Sequence, residues 1–344
     1  LEKIAIDAII FLMDDKTGKI ILTGMRPTGV LHIGHYFGVI PELLKLQNEA
    51  DRLFLMIADL HALTTLEDSK NLAENSLILA NTYLAAGIDP NKTTIFVQSH
   101  VGEHAEVAII FSMIRPVSML ELIPSYKEMR ADHPKNNNLG LLAYPVLQAA
   151  DILIYMATHV PVGKDQAPHI ELAREIARRF NARFGKVFLE PKTILQKESK
   201  ILSLQDPKKK MSKSHKPESF IALLDSPEAI RKKMKTAVTD SEKEIKYDEK
   251  KKPAISNLLT IYSLFSGKEI KEIEKMYKNS GYGDFKNDLA EVIIAGLAPL
   301  QQKYKELEKN PEQVKSILKD GALNAKQTAS ITMEAVCRKI GFLN

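Results

Sequence analysis

The sequence predicts an α/β fold: a parallel sheet flanked by helices, followed by a helical C-terminal region. Three observations carry this. Short runs of continuous apolar and β-branched residues stand at Ile20 to Thr23, Leu53 to Ala58 and Thr94 to Val97, the pattern of strands buried on both faces. Helical patterns separate them, so successive strands are joined by crossovers, which run right-handed. Beyond Ser226 every apolar pattern has a helical period.

Residues 1 to 18 read as an N-terminal extension, one helix ahead of the first strand. That strand runs into "TGMRPTGVLHIGHYFGVI" at 23 to 40, a loop with glycine and proline that opens a helix. The next helix takes Asp68 or Ser69 as its N-cap, carries Leu72, Leu77, Leu79, Tyr83 and Leu84, and closes at Gly87 before Ile88-Asp89-Pro90. From about 104 to 156 the pattern is mostly helical. A short strand follows at 159 to 163, then an amphipathic helix from Gln166, then a last short strand at Ile201 to Leu204. Ser226-Pro227 is a good N-cap and first-turn pair, and helices are expected over 227–235, 253–265, 268–278, 284–308 and 325–340. The chain therefore divides into an extension (1–18), a sheet domain (19–205) with a helical insertion near 104–156, and a charged loop with a helical domain (206–344).

The 344 residues, 44% hydrophobic and 26% charged, have the profile of a globular protein of two domains. Cys337 is the single cysteine, which excludes an internal disulfide and fits a reducing, cytoplasmic compartment. Ile9 to Met13 is too short to cross a bilayer, and the apolar run from Leu139 to Met156 is interrupted by Pro145, Gln148 and Asp151; no membrane role is read. Net charge is only +5, so a nucleic-acid partner must be met by local clusters. Two exist: "PKKKMSKSHK" at 207–216 and "RKKMK" at 231–235.

A loop after the first strand of an open α/β sheet lies at its carboxyl edge, where ligands bind, and it leads into a helix N-terminus that favours anions. Gly29 and Gly34 permit close approach of backbone to ligand, and His32 and His35, three apart, share one face of the first turn as donors to phosphate. The loop fits neither a Walker loop nor a G-x-G-x-x-G fingerprint. No carboxylate or cysteine accompanies the histidines at ligand spacing, so no metal site is read there.

His32-Ile33-Gly34-His35 and Lys210-Met211-Ser212-Lys213-Ser214 resemble, letter for letter, the HIGH and KMSKS signatures of class I aminoacyl-tRNA synthetases, here about 175 residues apart. The resemblance implies a Rossmann-like catalytic domain that uses ATP, with Mg2+, to form an aminoacyl-adenylate and then charges a tRNA, without a covalent enzyme intermediate. It implies catalytic roles for His32, His35, Lys210 and Lys213. It implies ATP contacts at Arg26, Pro27, Thr28, Gly34, His35, Gly163, Lys164, Asp165, Ile201, Lys210, Met211, Ser212, Lys213 and Ser214.

Longer segments are similar to bacterial tryptophanyl-tRNA synthetases: "YPVLQAADILIY" at 144–155, "VPVGKDQAPHIELAREIARRFN" at 160–181, "KKMSKS" at 209–214 and "AVTDS" at 237–241. In that family the aspartate matching Asp151 accepts the indole N–H, and Tyr144, Gln148, Val160, Val162 and Gln166 fall where it builds the rest of the amino-acid pocket. A buried carboxylate needs a donor, so a substrate lacking the N–H would leave it unpaired. The implied partners are tryptophan, ATP and tRNA(Trp), and the implied assembly is a homodimer. Three positions depart from the common family pattern: Arg26 and Thr28 where Gln and Ser are frequent, Lys164 where Glu is frequent, and Gln148 where Met is frequent. Tyr144, Gln148 and Asp151 also resemble the substrate triad of some tyrosyl-tRNA synthetases. Tyrosine–tRNA ligase and a non-catalytic tRNA-binding paralogue are the alternatives.

Overall fold

The computed structural model describes residues 18–66, 68–132, 137–195, 201–213, 215–242 and 244–343. The helix expected within 1–18, and Ser214 of the lysine loop, lie outside the described residues or at their margin. Among the described residues, strands β1 (Ile20–Met25), β2 (Arg52–Ile57), β3 (Thr93–Val97), β4 (His159–Val162) and β5 (Lys192–Leu195) form one sheet in the order β3-β2-β1-β4-β5. Every pairing is parallel, with Leu22 opposite Phe54, Leu55 opposite Ile95 and Val160 opposite Thr193. The chain winds outward from β1 on one side and then returns to β4 on the other. Such a reversal opens a crevice at the carboxyl ends of β1 and β4.

The helices are α1 (Ile33–Glu49), α2 (Asp59–Ala62), α3 (Leu72–Ala85), α4 (Glu103–Ser112), α5 (Val117–Leu120), α6 (Pro124–Asp132), α7 (Leu139–Ile154), α8 (Ala167–Phe184), α9 (Pro227–Thr236), α10 (Pro253–Ser266), α11 (Ile270–Met276), α12 (Tyr282–Glu308) and α13 (Pro311–Ile340). Asn138 caps α7 by accepting the Leu141 N–H at 2.9 Å, and Ser226 caps α9 by accepting that of Ala229 at 3.2 Å. No helix among the described residues is long and apolar enough to cross a membrane.

Contacts divide the chain into two compact units. The first holds the described residues of 1–29, 44–196 and 310–344; the second holds those of 30–43 and 197–309. The core of the first joins Phe54 and Phe96 on the sheet to Val107 and Phe111 of α4, Ala149 to Ile154 of α7, Ile170 to Phe180 of α8, and Ala322, Ala325, Ala329 and Val336 of α13.

Four expectations need correction. The boundary at 205/206 is not where the units divide, because α13 packs on β3 in the first unit while residues 30–43 belong to the second. Helix α13 begins at Pro311, fourteen residues ahead of 325, and Gly321 lies inside it as a point of close approach, where a Cβ would collide with the Ile95 carbonyl oxygen. The fifth strand is Lys192–Leu195, a half-exposed edge whose residues show neither a continuous apolar run nor clean alternation. Residues 201 to 204 join no strand of the sheet. They pair antiparallel with the lysine loop, as described below. Helix α3 starts after Asn71, not at Asp68 or Ser69, and ends as expected before Gly87, whose φ is +99°.

Candidate active site

The second unit holds the described residues of both signatures, each pinned by its own isolated antiparallel bridge. The Ile33 N–H donates to the Ile221 carbonyl at 3.0 Å and the Leu223 N–H to the Leu31 carbonyl at 2.8 Å, so His32 faces Ala222 in an antiparallel bridge. The lysine loop is pinned likewise: Ser203 N–H donates to Lys209 O at 2.9 Å and Met211 N–H to Ile201 O at 3.1 Å. Ile201 and Met211 are buried, while Lys210 points outward.

His32 precedes the first residue of α1 and caps it. Its Nδ1 accepts the His35 N–H at 3.3 Å, and the His35 Nδ1 faces the His32 N–H at 3.5 Å. This reciprocal pairing is a capping box built from two histidines, which explains their spacing of three. Each ring uses Nδ1 as acceptor and so carries its hydrogen on Nε2, as a donor. The ring centroids lie 3.7 Å apart. Burial, then the neighbouring charges of His35, Lys213 and Lys210, lower the His32 pKa to about 3; burial, then Lys213 and Lys210, lower that of His35 to about 4. Both rings are therefore neutral donors at pH 7. Burial lowers Lys213 to about 8. Gly34 is required by closeness, since a Cβ there would meet the His32 ring at 2.9 Å and Met211 at 3.8 Å. Among the described residues the cluster offers imidazole N–H and ammonium groups.

The first unit holds the residues expected at the amino acid. Tyr144, Gln148 and Asp151 share one face of α7 at i, i+4 and i+7. Asp151 is 1% exposed and accepts three hydrogen bonds: His104 Nδ1 at 2.7 Å and Gln98 Nε2 at 2.8 Å on Oδ1, and His61 Nε2 at 2.7 Å on Oδ2. Burial alone would raise its pKa, but the charge of His61 and the hydrogen bonds from His104 and His61 hold it below the usual carboxylate range. The Tyr144 hydroxyl lies 3.0 Å from Nε2 of the buried His169. Val160 and Val162 are buried on β4, and the Gln166 amide donates to Asp165 at 2.7 Å.

Of the remaining positions expected at ATP, Arg26 donates to the Thr65 hydroxyl at 3.2 Å. Pro27 is buried and Thr28 exposed; Lys164 and Asp165 are exposed beside the half-buried Gly163. All six belong to the first unit, whereas Gly34, His35, Ile201 and Lys210 to Lys213 belong to the second. Sequence reasoning missed His61, Gln98, His104 and Tyr155. A signal was available for two of them: His61 lies just past β2 and Gln98 just past β3, at the carboxyl edge where ligands bind.

A family model described as tRNA synthetases class I (W and Y) matches residues 15–298. The chain belongs to that family. This synthetase is 44% identical to the tryptophan–tRNA ligase of Caldanaerobacter subterraneus subsp. tengcongensis over 94% of its own length and 99% of that protein. It is 46% identical to the tryptophan–tRNA ligase of Bacillus anthracis, over 94% and 98% of the two chains. The crystal structure of the Campylobacter jejuni tryptophanyl-tRNA synthetase complexed with ADP and tryptophan superposes with a TM-score of 0.84 at 37% identity, covering 94% of this synthetase and 99% of that chain. The tyrosyl-tRNA synthetase of Archaeoglobus fulgidus shares the fold, with a TM-score of 0.63 at 18% identity.

Proposed function

We propose that this synthetase is a tryptophan–tRNA ligase. A tryptophan carboxylate oxygen attacks the α-phosphorus of ATP, the bond to the β-phosphate breaks and pyrophosphate leaves; the acyl group of the resulting adenylate then passes to the terminal ribose of tRNA(Trp) with loss of AMP. The observation that carries the reading is the pinning of both signatures within one unit, His32 and His35 on one side and Lys210 and Lys213 on the other. Phosphoryl transfer calls chiefly for positioning and for charge stabilisation on the departing phosphates. Two neutral imidazole donors and two ammonium groups supply both. ATP is taken as its magnesium complex, the ion being a hard cation whose ligands are oxygens such as those of phosphate.

Arg26, Pro27, Thr28, Gly163, Lys164 and Asp165 are the further ATP contacts of this reading, and Ser214 completes the lysine loop. The amino acid is bound by Asp151 through its indole N–H, with Tyr144, Gln148, Val160, Val162 and Gln166 around it. Tryptophan is favoured over tyrosine by the 44–46% identity to tryptophan–tRNA ligases, whereas likeness to the tyrosine enzyme at 18% identity supports the fold alone. The enzyme acts in the cytoplasm, in keeping with its single cysteine. It works as a homodimer, in keeping with large apolar side chains left exposed along α4 to α7, among them Ile109 at 60%, Met113 at 74% and Leu139 at 77%.

Pyrophosphate exchange into ATP tests the reading, run with tryptophan, with tyrosine and with no amino acid. Exchange that depends on tryptophan supports it; dependence on tyrosine, or silence with both, overturns it. Because the chain contains no tryptophan, indole fluorescence of added tryptophan reports binding without a protein background.

A further inference from the structure

Asp151 lies in a chain of hydrogen bonds ordered from surface to core. His61 is 9% exposed, Asp151 1%, and Gln98 and His104 are fully buried. Behind His104 stands Tyr155, also fully buried, whose hydroxyl oxygen lies 2.7 Å from His104 Nε2. The phenol ring is clamped, stacked on Phe54 with centroids 4.5 Å apart and edge-on to Phe96 at 5.6 Å. Burial, then the charges of Asp151 and Glu103, raise its pKa well above the usual phenol value, so it remains an O–H donor.

An ionised carboxylate only accepts, so the hydrogen of the neutral His104 ring sits on Nδ1 and is given to Asp151 Oδ1, which leaves Nε2 to accept from the Tyr155 hydroxyl. Gln98 is fixed from its other end, where its Oε1 faces the His61 backbone N–H at 3.4 Å, which turns its amide N–H toward the same Oδ1. A carboxylate oxygen has two lone pairs. Oδ1 has spent both, and Oδ2 has spent one on His61.

We propose that His104 and Gln98, with Tyr155 behind His104, are positioning residues for amino-acid selection: they saturate Oδ1 of Asp151 and leave one lone pair of Oδ2, beside His61, as the acceptor for the N–H of the substrate side chain. This rests on the tryptophan reading above. The arrangement does two things. It stops the carboxylate from rotating, so the open lone pair has one direction. It also keeps the carboxylate short of one donor until a substrate with an N–H arrives, and an isostere without that hydrogen leaves it so.

The test compares kcat/KM in pyrophosphate exchange for tryptophan and for β-(3-benzothienyl)alanine, which replaces the indole N–H by sulfur in a ring of similar size. The native enzyme is expected to prefer tryptophan. His104→Leu removes the donor and is expected to lower that preference about 10-fold or more; His104→Asn, whose amide nitrogen falls near the place of Nδ1, keeps it within about 3-fold. Tyr155→Phe, which removes one oxygen from a well-packed ring, takes away the partner of His104 Nε2, loosens the hold on the imidazole and lowers the preference by an intermediate amount. If His104→Leu and Tyr155→Phe slow both substrates equally, the residues merely support the fold and the proposal is overturned. A native enzyme that activates tryptophan but does not prefer it to the isostere also overturns the proposal, with the ligase reading intact; no tryptophan-dependent exchange in the native enzyme overturns both. Nitrogen-15 histidine spectra of the folded native protein provide a readout independent of turnover: His104 appears as the Nδ1–H tautomer, and an Nε2–H tautomer or an imidazolium contradicts the proposal.

Discussion

Lys213 is where charge, burial and rate meet. Lys213→Ala is expected to retain tryptophan binding, read by indole fluorescence, while adenylate formation falls about 10²-fold, the loss of roughly 3 kcal/mol seen when one charge-stabilising donor is removed. Unchanged exchange in that variant would take the lysine out of the mechanism. The same side chain sets a pH limb. Burial lowers its pKa to about 8, so the ammonium is present below that value and lost above it, and exchange should decline as pH rises through about 8. Lys213→Arg, permanently charged, should move that decline upward even if its geometry costs rate. For stability the sign is opposite to that of a paired lysine. The unfolded chain holds the proton up to about 10.5, the folded one only to about 8, so this residue's burden on the fold eases as pH climbs through that window.

At the scale of elements, α13 lies on β3 because its inner face is small. Gly321, Ala322, Ala325 and Ala329 let two backbones approach, and the Arg52 guanidinium reaches across to the Thr328 hydroxyl at 2.8 Å. Alanine for glycine inside a helix ordinarily gains about 1 kcal/mol. At Gly321 the new carbon would lie 1.9 Å from the Ile95 carbonyl oxygen, and overpacking of this kind costs about 1–3 kcal/mol or more. The second effect wins: Gly321→Ala should lower the urea midpoint by the equivalent of about 2 kcal/mol. Gly283→Ala, within α12 and with nothing within 4 Å of the new carbon, is the control and should leave the midpoint at its native value or raise it by the equivalent of up to about 1 kcal/mol. Equal midpoints in the two variants would mean that α13 does not need its glycine.

For the whole molecule, the proposed pairing of two copies would rest on apolar residues that the single chain leaves exposed. Met113→Asp places a charge at a side chain 74% exposed, where it barely touches the fold of its own chain. Sedimentation should show the native enzyme near twice 38.5 kDa and the variant shifted toward the single-chain mass. A native protein that sediments at the single-chain mass removes the homodimer from the proposed function.

The sequence by itself determined the sheet's first three strands, β4, most helices of the C-terminal half and both signatures, because each rests on contacts between residues near in the chain: continuous apolar runs, a serine N-cap, and an H-x-x-H spacing that closes one helical turn. It also named Asp151 as a buried acid in want of a donor. Only the tertiary structure decided which donors it has, since His61, Gln98 and His104 reach it across 90, 53 and 47 residues of chain, a separation that leaves no local trace. The same holds for β5, an edge strand whose mixed pattern acquires meaning only beside β4, and for α13, whose small residues look like weak helix until β3 lies against them. Local periodicity records what a segment is, while the partner that satisfies a buried polar group or a close-packed glycine is fixed only when the chain has folded back on itself.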